Sequence, residues 1–170
     1  MPFRPLVCAL AAMTLLASLA SNGAAQLFVT TGKDTLRSLP GIEIIVESVQ
    51  PELEAAGLTA ASLRADVDQR LRAKGIVTFT SQGKNTSAAK PYLFIDLNAL
   101  DISGQDLYAI AVQVQVRQTV QSLVTSSNIV DAVTWDSHTV VGVPAKELHT
   151  VREEIGEHID RFIRDWAAVH

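Results

Sequence analysis

Hydrophobic and polar residues alternate most regularly between Leu107 and Leu123, LYAIAVQVQVRQTVQSL. Tyr108, Ile110, Val112, Val114, Val116 and Val120 fall on one side, and Gln113, Gln115, Arg117, Thr119 and Gln121 on the other. A period of two predicts a strand with one face on a core and the other in water. At roughly 3.4 Å per residue such a strand runs about 50 Å, far beyond the usual length. It needs long neighbours, and the chain supplies them. From Tyr92 to Ile102 the residues Leu93, Ile95, Leu97 and Ala99 share one face, with Tyr92 and Phe94 opposite. Ile129 to Val143 predicts a third long strand, with Val133, Trp135 and Val141 on its better apolar face. The turns Ser103-Gly104-Gln105-Asp106 and Ser126-Ser127-Asn128 join the three into an antiparallel meander.

The chain before the meander is less regular. Leu27-Phe28-Val29-Thr30 reads either as a short strand or as the start of a flexible lead, and Thr31-Gly32-Lys33-Asp34 reads as a turn. Leu39-Pro40-Gly41 marks the entry to a β-branched strand, Ile42–Val49, which Pro51 stops. Glu52–Gly57 fits a helical turn. Thr59 then N-caps a helix through Lys74, in which Leu63, Val67 and Leu71 recur at four-residue spacing. Gly75 fits the left-handed position after that helix, with Ile76 as the hydrophobic residue behind it. A strand at Ile76–Thr80 and an exposed loop at Ser81–Pro91 follow. After the meander, Pro144 fits the first turn of a closing helix. Its apolar stripe is Leu148, Val151, Ile155, Ile159, Phe162, Trp166 and Val169. Gly156 interrupts that helix at a cost of about 1 kcal/mol against alanine, which points to close approach of a neighbour.

The order strand, helix, strand, three long strands, helix predicts an α+β fold. The expected form is a two-layer sandwich, a mostly antiparallel sheet with both helices on one face, its first crossover right-handed. The sheet face carrying Gln113, Gln115, Arg117 and Gln121 is then left open to water, and these four are the candidate binding residues.

The amino terminus changes the compartment. Arg4 precedes an uncharged apolar run, Leu6–Ala20, and then Ser21–Ala25, a polar stretch ending in small residues. This layout predicts a secretory signal peptide, residues 1–25, cleaved after Ala25. The run is shorter than the roughly 18 to 20 residues of a spanning helix. Cys8 lies before most of the run, which argues against a lipidated cysteine. Residues 26–170 then form one α+β domain of about 145 residues, with 26–40 as a possible flexible lead. Cys8 is the only cysteine, so the exported protein has no disulfide and is held by packing. Its net charge is one unit more negative than the −4 of the whole chain, because Arg4 is the sole charge removed. That balance disfavours nucleic acid and anionic membrane surfaces as partners. No later stretch is long enough to span a bilayer.

Candidate chemistry is sparse. His138, His149, His158 and His170 show no metal-binding spacing, and no HExxH, GxSxG or phosphate-binding glycine loop occurs. Glu154 and His158 lie one turn apart on the closing helix with Arg161 beyond, read as a solvated contact on its outer face. Asp96, Asp101, Asp106, Asp131 and Asp136 lie on or near the meander, where two could face each other as glycosidase carboxylates do. Asp136 and His138 share a strand face and point outward if Trp135 points in. Asn85-Thr86-Ser87 matches a glycosylation acceptor and is given no role. Trp135 and Trp166, with Phe79 and Phe94, are candidates for a pocket between sheet and helix, although aromatics at such spacing are more often core.

The segment TLRSLPGIEIIVESVQPELEAAGLTAASLRADVDQRLRAKGI resembles the opening of uncharacterised exported bacterial proteins. They share a strand after LPG, a Gly-Leu-Thr helix start and a D-V-x-x-R-L-R-x-x-G-I helix end. The Trp135 strand and the closing helix extend the resemblance over most of residues 35–169. The element order is also similar in layout to the amino-terminal domain of TolB and to the lipopolysaccharide-transport lipoproteins. That resemblance implies docking of envelope proteins or lipids and transfers no catalytic residue.

The residues therefore lead to a non-enzymatic exported binding module, periplasmic or secreted, for an envelope protein or lipid component, without cofactor or metal. The alternative is a carrier of an apolar small molecule or lipid, held between the sheet and the Phe162–Trp166 end of the closing helix. A third reading is a hydrolase-type enzyme using Asp136, His138 or the Glu154–His158 pair. Oligomeric state and partner identity are left open.

Overall fold

The computed structural model describes residues 32–80, 87–122 and 129–170. The expected signal peptide, the Leu27–Thr30 segment, residues 81–86 of the polar loop and the Ser126–Asn128 turn lie outside the described residues. Ile42–Val46 forms β1, Pro51–Ala55 α1, Ala60–Ala73 α2, Thr78–Phe79 β2 and Tyr92–Ile102 β3. Leu107–Gln121 forms β4, Ile129–Pro144 β5 and Val151–Ala167 α3. Short 3₁₀ turns at Gly32–Leu36 and Ala145–Thr150 precede β1 and α3.

The local signals explain most of these boundaries. The Thr59 hydroxyl accepts from the Ser62 amide at 3.1 Å, the N-cap of α2. At its far end Gly75 takes φ +76°, and the Ile76 amide reaches back to the Leu71 carbonyl at 3.0 Å. That closes the helix in a Schellman arrangement. Several boundaries differ from the sequence reading, among them β2, which is only Thr78–Phe79 rather than Ile76–Thr80, and α1, which is Pro51–Ala55 rather than Glu52–Gly57. β1 ends at Val46 rather than Val49, and Val49 is buried in the connection that follows. Pro144 ends β5 and leads into a 3₁₀ turn, so α3 itself begins at Val151.

The five strands are ordered β2-β1-β3-β4-β5. β1 pairs parallel with both β2 and β3, while β3, β4 and β5 are antiparallel in sequence. The sheet is therefore mixed, not mostly antiparallel. The connection through α1 and α2 returns the chain to the starting end of β1, and the β2–β3 connection does so again. β3 thus enters on the free side of β1 in the same direction. The long meander itself stands as expected, with Tyr92 opposite Arg117 and Val116 opposite Trp135.

A register shift corrects a second expectation. Val116 faces Trp135, but Arg117 faces Val133, so Thr134 is the extra residue of a β-bulge. A bulge exchanges the two faces of a strand beyond it. Val133 consequently lies with Arg117 on the polar face, 42% exposed, while Trp135, Ser137 and Val143 are buried.

Ile42 and Ile44, Leu93, Ile95 and Leu97, and the even-numbered residues Ile110 to Val116 form one core with Leu63, Val67 and Leu71 of α2. Val151, Ile155, Ile159 and Phe162 of α3 complete it. α2 and α3 are tied by Arg70–Asp160 at 3.1 Å and by Arg152–Asp66. The neighbour that approaches Gly156 is Arg70, whose guanidinium would lie 2.8 Å from a Cβ placed there.

Candidate functional site

Residues of the other parity on β3, β4 and β5 make a second sheet face that is half-buried to exposed. Three successive cross-strand rows cross it: Asp96–Gln113–His138, Phe94–Gln115–Asp136 and, where β3 begins, Tyr92–Arg117–Val133. Gln113, Gln115 and Arg117 therefore sit together on this face, in consecutive rows of β4. Gln121 does not join them: it is exposed at the end of β4, opposite Ile129.

Arg117 is the residue around which the face is arranged. Its guanidinium stands 5.2 Å above the Phe94 ring, a cation–π contact. Its Nε is buried and has no hydrogen-bond partner among the described residues. Beside it the Tyr92 hydroxyl donates to Asp131 at 2.7 Å. Burial and the Asp131 carboxylate push the Tyr92 phenol above its ordinary pKa, so it stays a donor at neutral pH. Asp136 holds His138 Nδ1 at 3.1 Å, and Asn98 donates to Asp96 at 2.8 Å. Farther along, Leu100 stands exposed opposite Ala109 and Val140 opposite Ala111, giving the face an apolar end.

The carboxylates do not converge on one point. Asp96 and Asp136 are on strands separated by β4, roughly 10 Å between backbones at about 4.8 Å per strand. Asp101 is exposed near the β3–β4 hairpin, and Asp106 forms its turn at φ +46°. Among the described residues no three His, Cys, Asp or Glu side chains are grouped to hold a metal ion.

The expected solvated Glu154–His158 contact is not what α3 makes. His158 is buried against β5, where its Nδ1 lies 2.7 Å from the Ser137 hydroxyl. The strand carries a serine there because its core face needs a polar partner for the imidazole. Ser137 is itself buried, and the pair satisfies the hydrogen-bonding needs of both side chains in the interior. Burial, with Arg161 nearby, lowers the His158 pKa from its usual 6.5. The unfolded chain therefore takes up a proton near pH 6.5 while the fold stays neutral to lower pH. Stability should be full above that pH and decline below it, by up to about 1.4 kcal/mol per unit. Urea unfolding at pH 7.5 and 5.5 checks this: the difference should shrink in His158→Asn, and an equal difference in both proteins rules His158 out.

Gln118 is a polar residue that the alternation concealed. It lies on the core side of β4, buried, and its amide nitrogen donates to Thr134 Oγ1 at 2.8 Å and to the Thr35 carbonyl at 3.2 Å. It thus secures the bulge and the Gly32–Leu36 turn together. The only available signal was a glutamine between Val116 and Val120 on the apolar parity.

Trp135, Phe162 and Trp166, the aromatics expected at the sheet–helix junction, contact one another. Trp135 meets Phe162 edge-on at 5.5 Å, Phe162 meets Trp166 at 5.7 Å, and Trp166 stacks on His170 at 4.4 Å. The Trp135 indole donates to Asp165 at 2.9 Å. Phe79 and Phe94 are not with them, lying on β2 and on the polar face of β3. Among the described residues no helix is long and apolar enough to cross a membrane. Neither a protein-family model nor a curated protein matches this chain.

Proposed function

We propose that this chain is a non-enzymatic exported protein that docks another protein of the bacterial envelope on the open face of its sheet. In a two-layer arrangement the helices occupy one side of β3, β4 and β5, and the other side is free for a partner. The observation that carries the reading is Arg117: a half-buried cation on that face, seated on Phe94 where β3 begins, with a buried Nε lacking an acceptor among the described residues. An acceptor brought by a partner would satisfy that donor, and interface centres favour arginine and aromatic anchors of this kind. Gln113 and Gln115 add donors and acceptors beside it, and Leu100 and Val140 add apolar area at one end.

A photo-crosslinking residue in place of Val133 should give a discrete adduct in cells that export the protein. Adding Arg117→Glu, Gln113→Ala and Gln115→Ala should cut that adduct by roughly tenfold or more. These side chains face away from the core, so the changes should lower stability by no more than about 1 kcal/mol. An undiminished adduct in a folded triple variant overturns the reading.

A further inference from the structure

We infer that β5 and the flank of α3 beside it form a twofold interface between two copies of this chain. The inference does not rest on Arg117 or on the open-face reading: it uses the β5 edge and α3, and shares with that face only the outward residues of β5.

Among the described residues β5 is the outermost strand, hydrogen-bonded to β4 on one side only. Exposed edges invite pairing with another chain, and proteins usually blunt them with lysine, proline or inward charge. This one has no lysine, and its only proline is the terminal Pro144. It presents Ile129 and Val140, each 71% exposed, together with Val130 and Val133.

The adjoining helix says which partner fits. His158 against Ser137, and Asp165 against Trp135, hold α3 alongside β5 and antiparallel to it. On its outer flank Glu154, Glu157, Arg161 and Arg164 follow one another at three- and four-residue steps along a groove shared with His138 and Thr139. Two acids are followed by two bases, and none of the four has an ion-pair partner among the described residues. Such a line is complementary to itself when reversed. A twofold axis near its midpoint places Glu154 and Glu157 against Arg164 and Arg161 of the partner subunit, as an isologous contact requires. That midpoint is level with His158 and therefore with Ser137, so the same axis brings the two β5 edges together antiparallel. Asp136 then comes opposite His138 of the partner subunit. The bulge at Thr134, whose carbonyl already accepts from the Thr35 hydroxyl at 3.1 Å, limits the ladder at one end and, through the axis, at the other. A short ladder leaves the helix charges to set register and partner.

Sedimentation velocity on the purified protein should show a dimer that weakens as salt rises, because the helix contacts are exposed charges. The double variant Glu154→Arg/Glu157→Arg makes the line wholly basic, and Arg161→Glu/Arg164→Glu makes it wholly acidic. Each variant alone should self-associate about tenfold or more weakly, and an equimolar mixture should restore a dimer containing one of each. Circular dichroism of each variant establishes that it is folded. A wild type that stays monomeric leaves the edge to a strand of another protein and overturns the inference. Folded variants that dimerise as the wild type does, or whose mixture stays monomeric, overturn it equally.

Discussion

Replacing Phe162 by alanine should cost about 3–5 kcal/mol of unfolding free energy, at the upper end for core truncations. Phe162 is fully buried on α3, with Trp135 of β5 at its edge and Trp166 one turn on. The cost of such a deletion depends on how far the neighbours can close the gap. Here they are held. The Trp135 indole is fixed by Asp165, and Trp166 is stacked on His170. With no disulfide among the described residues, the contact of α3 with the meander depends on this cluster. Urea denaturation reads the loss as a fall in midpoint at unchanged slope. A loss below about 1.5 kcal/mol would mean that the site collapses freely and that the aromatics are not a fixed part of the core.

The same cluster shows what was legible in the sequence. Ile155, Ile159, Phe162 and Trp166 step at three and four residues, and that spacing alone placed them on one stripe of a helix. What the spacing did not carry was the partner. Whether large aromatics line a cavity or fill it depends on the elements opposite, and Trp135 arrives from β5, twenty-seven residues earlier in the chain. The meander was legible for a related reason: alternation fixes which side chains share a face and needs no knowledge of neighbours. Gln113, Gln115 and Arg117 could therefore be placed together on the open face, with Tyr92 and Phe94 sharing the outer parity of the next strand.

Register was not legible. The seat of Arg117 on Phe94, and the Tyr92–Asp131 bond, follow from cross-strand pairing set by turns and bulges. A single extra residue at Thr134 moved Val133 to the opposite face from Trp135. Strand direction was equally hidden. Nothing in Ile42–Val46 marks it as parallel on both sides, because direction is decided by the connections. His158 was misplaced through a simple bias, since a histidine one turn from a glutamate reads as solvated until a buried serine is found across from it.

The largest effect expected outside the aromatic cluster is at Gly41. Substitution by alanine there should cost about 2–4 kcal/mol, combining backbone strain with steric overlap. The residue sits at φ +158° at the start of β1, where a side chain is rarely tolerated. A Cβ added at this point would lie 2.6 Å from the Val77 carbonyl oxygen and 2.9 Å from the Phe79 ring. The Phe79 ring could swing away, but the carbonyl cannot, because it accepts the Ile42 amide at 2.9 Å and so aligns β1 with β2. Relief therefore requires the two strands to part. Hydrogen exchange should show this locally: protection of the Ile42 amide falls in Gly41→Ala, while amides of the β3–β4–β5 meander lose only what the global destabilisation takes from them. A variant of wild-type stability with Ile42 still protected would mean that the Leu39-Pro40-Gly41 entry has room to shift, and that the close approach of β2 does not require glycine at position 41.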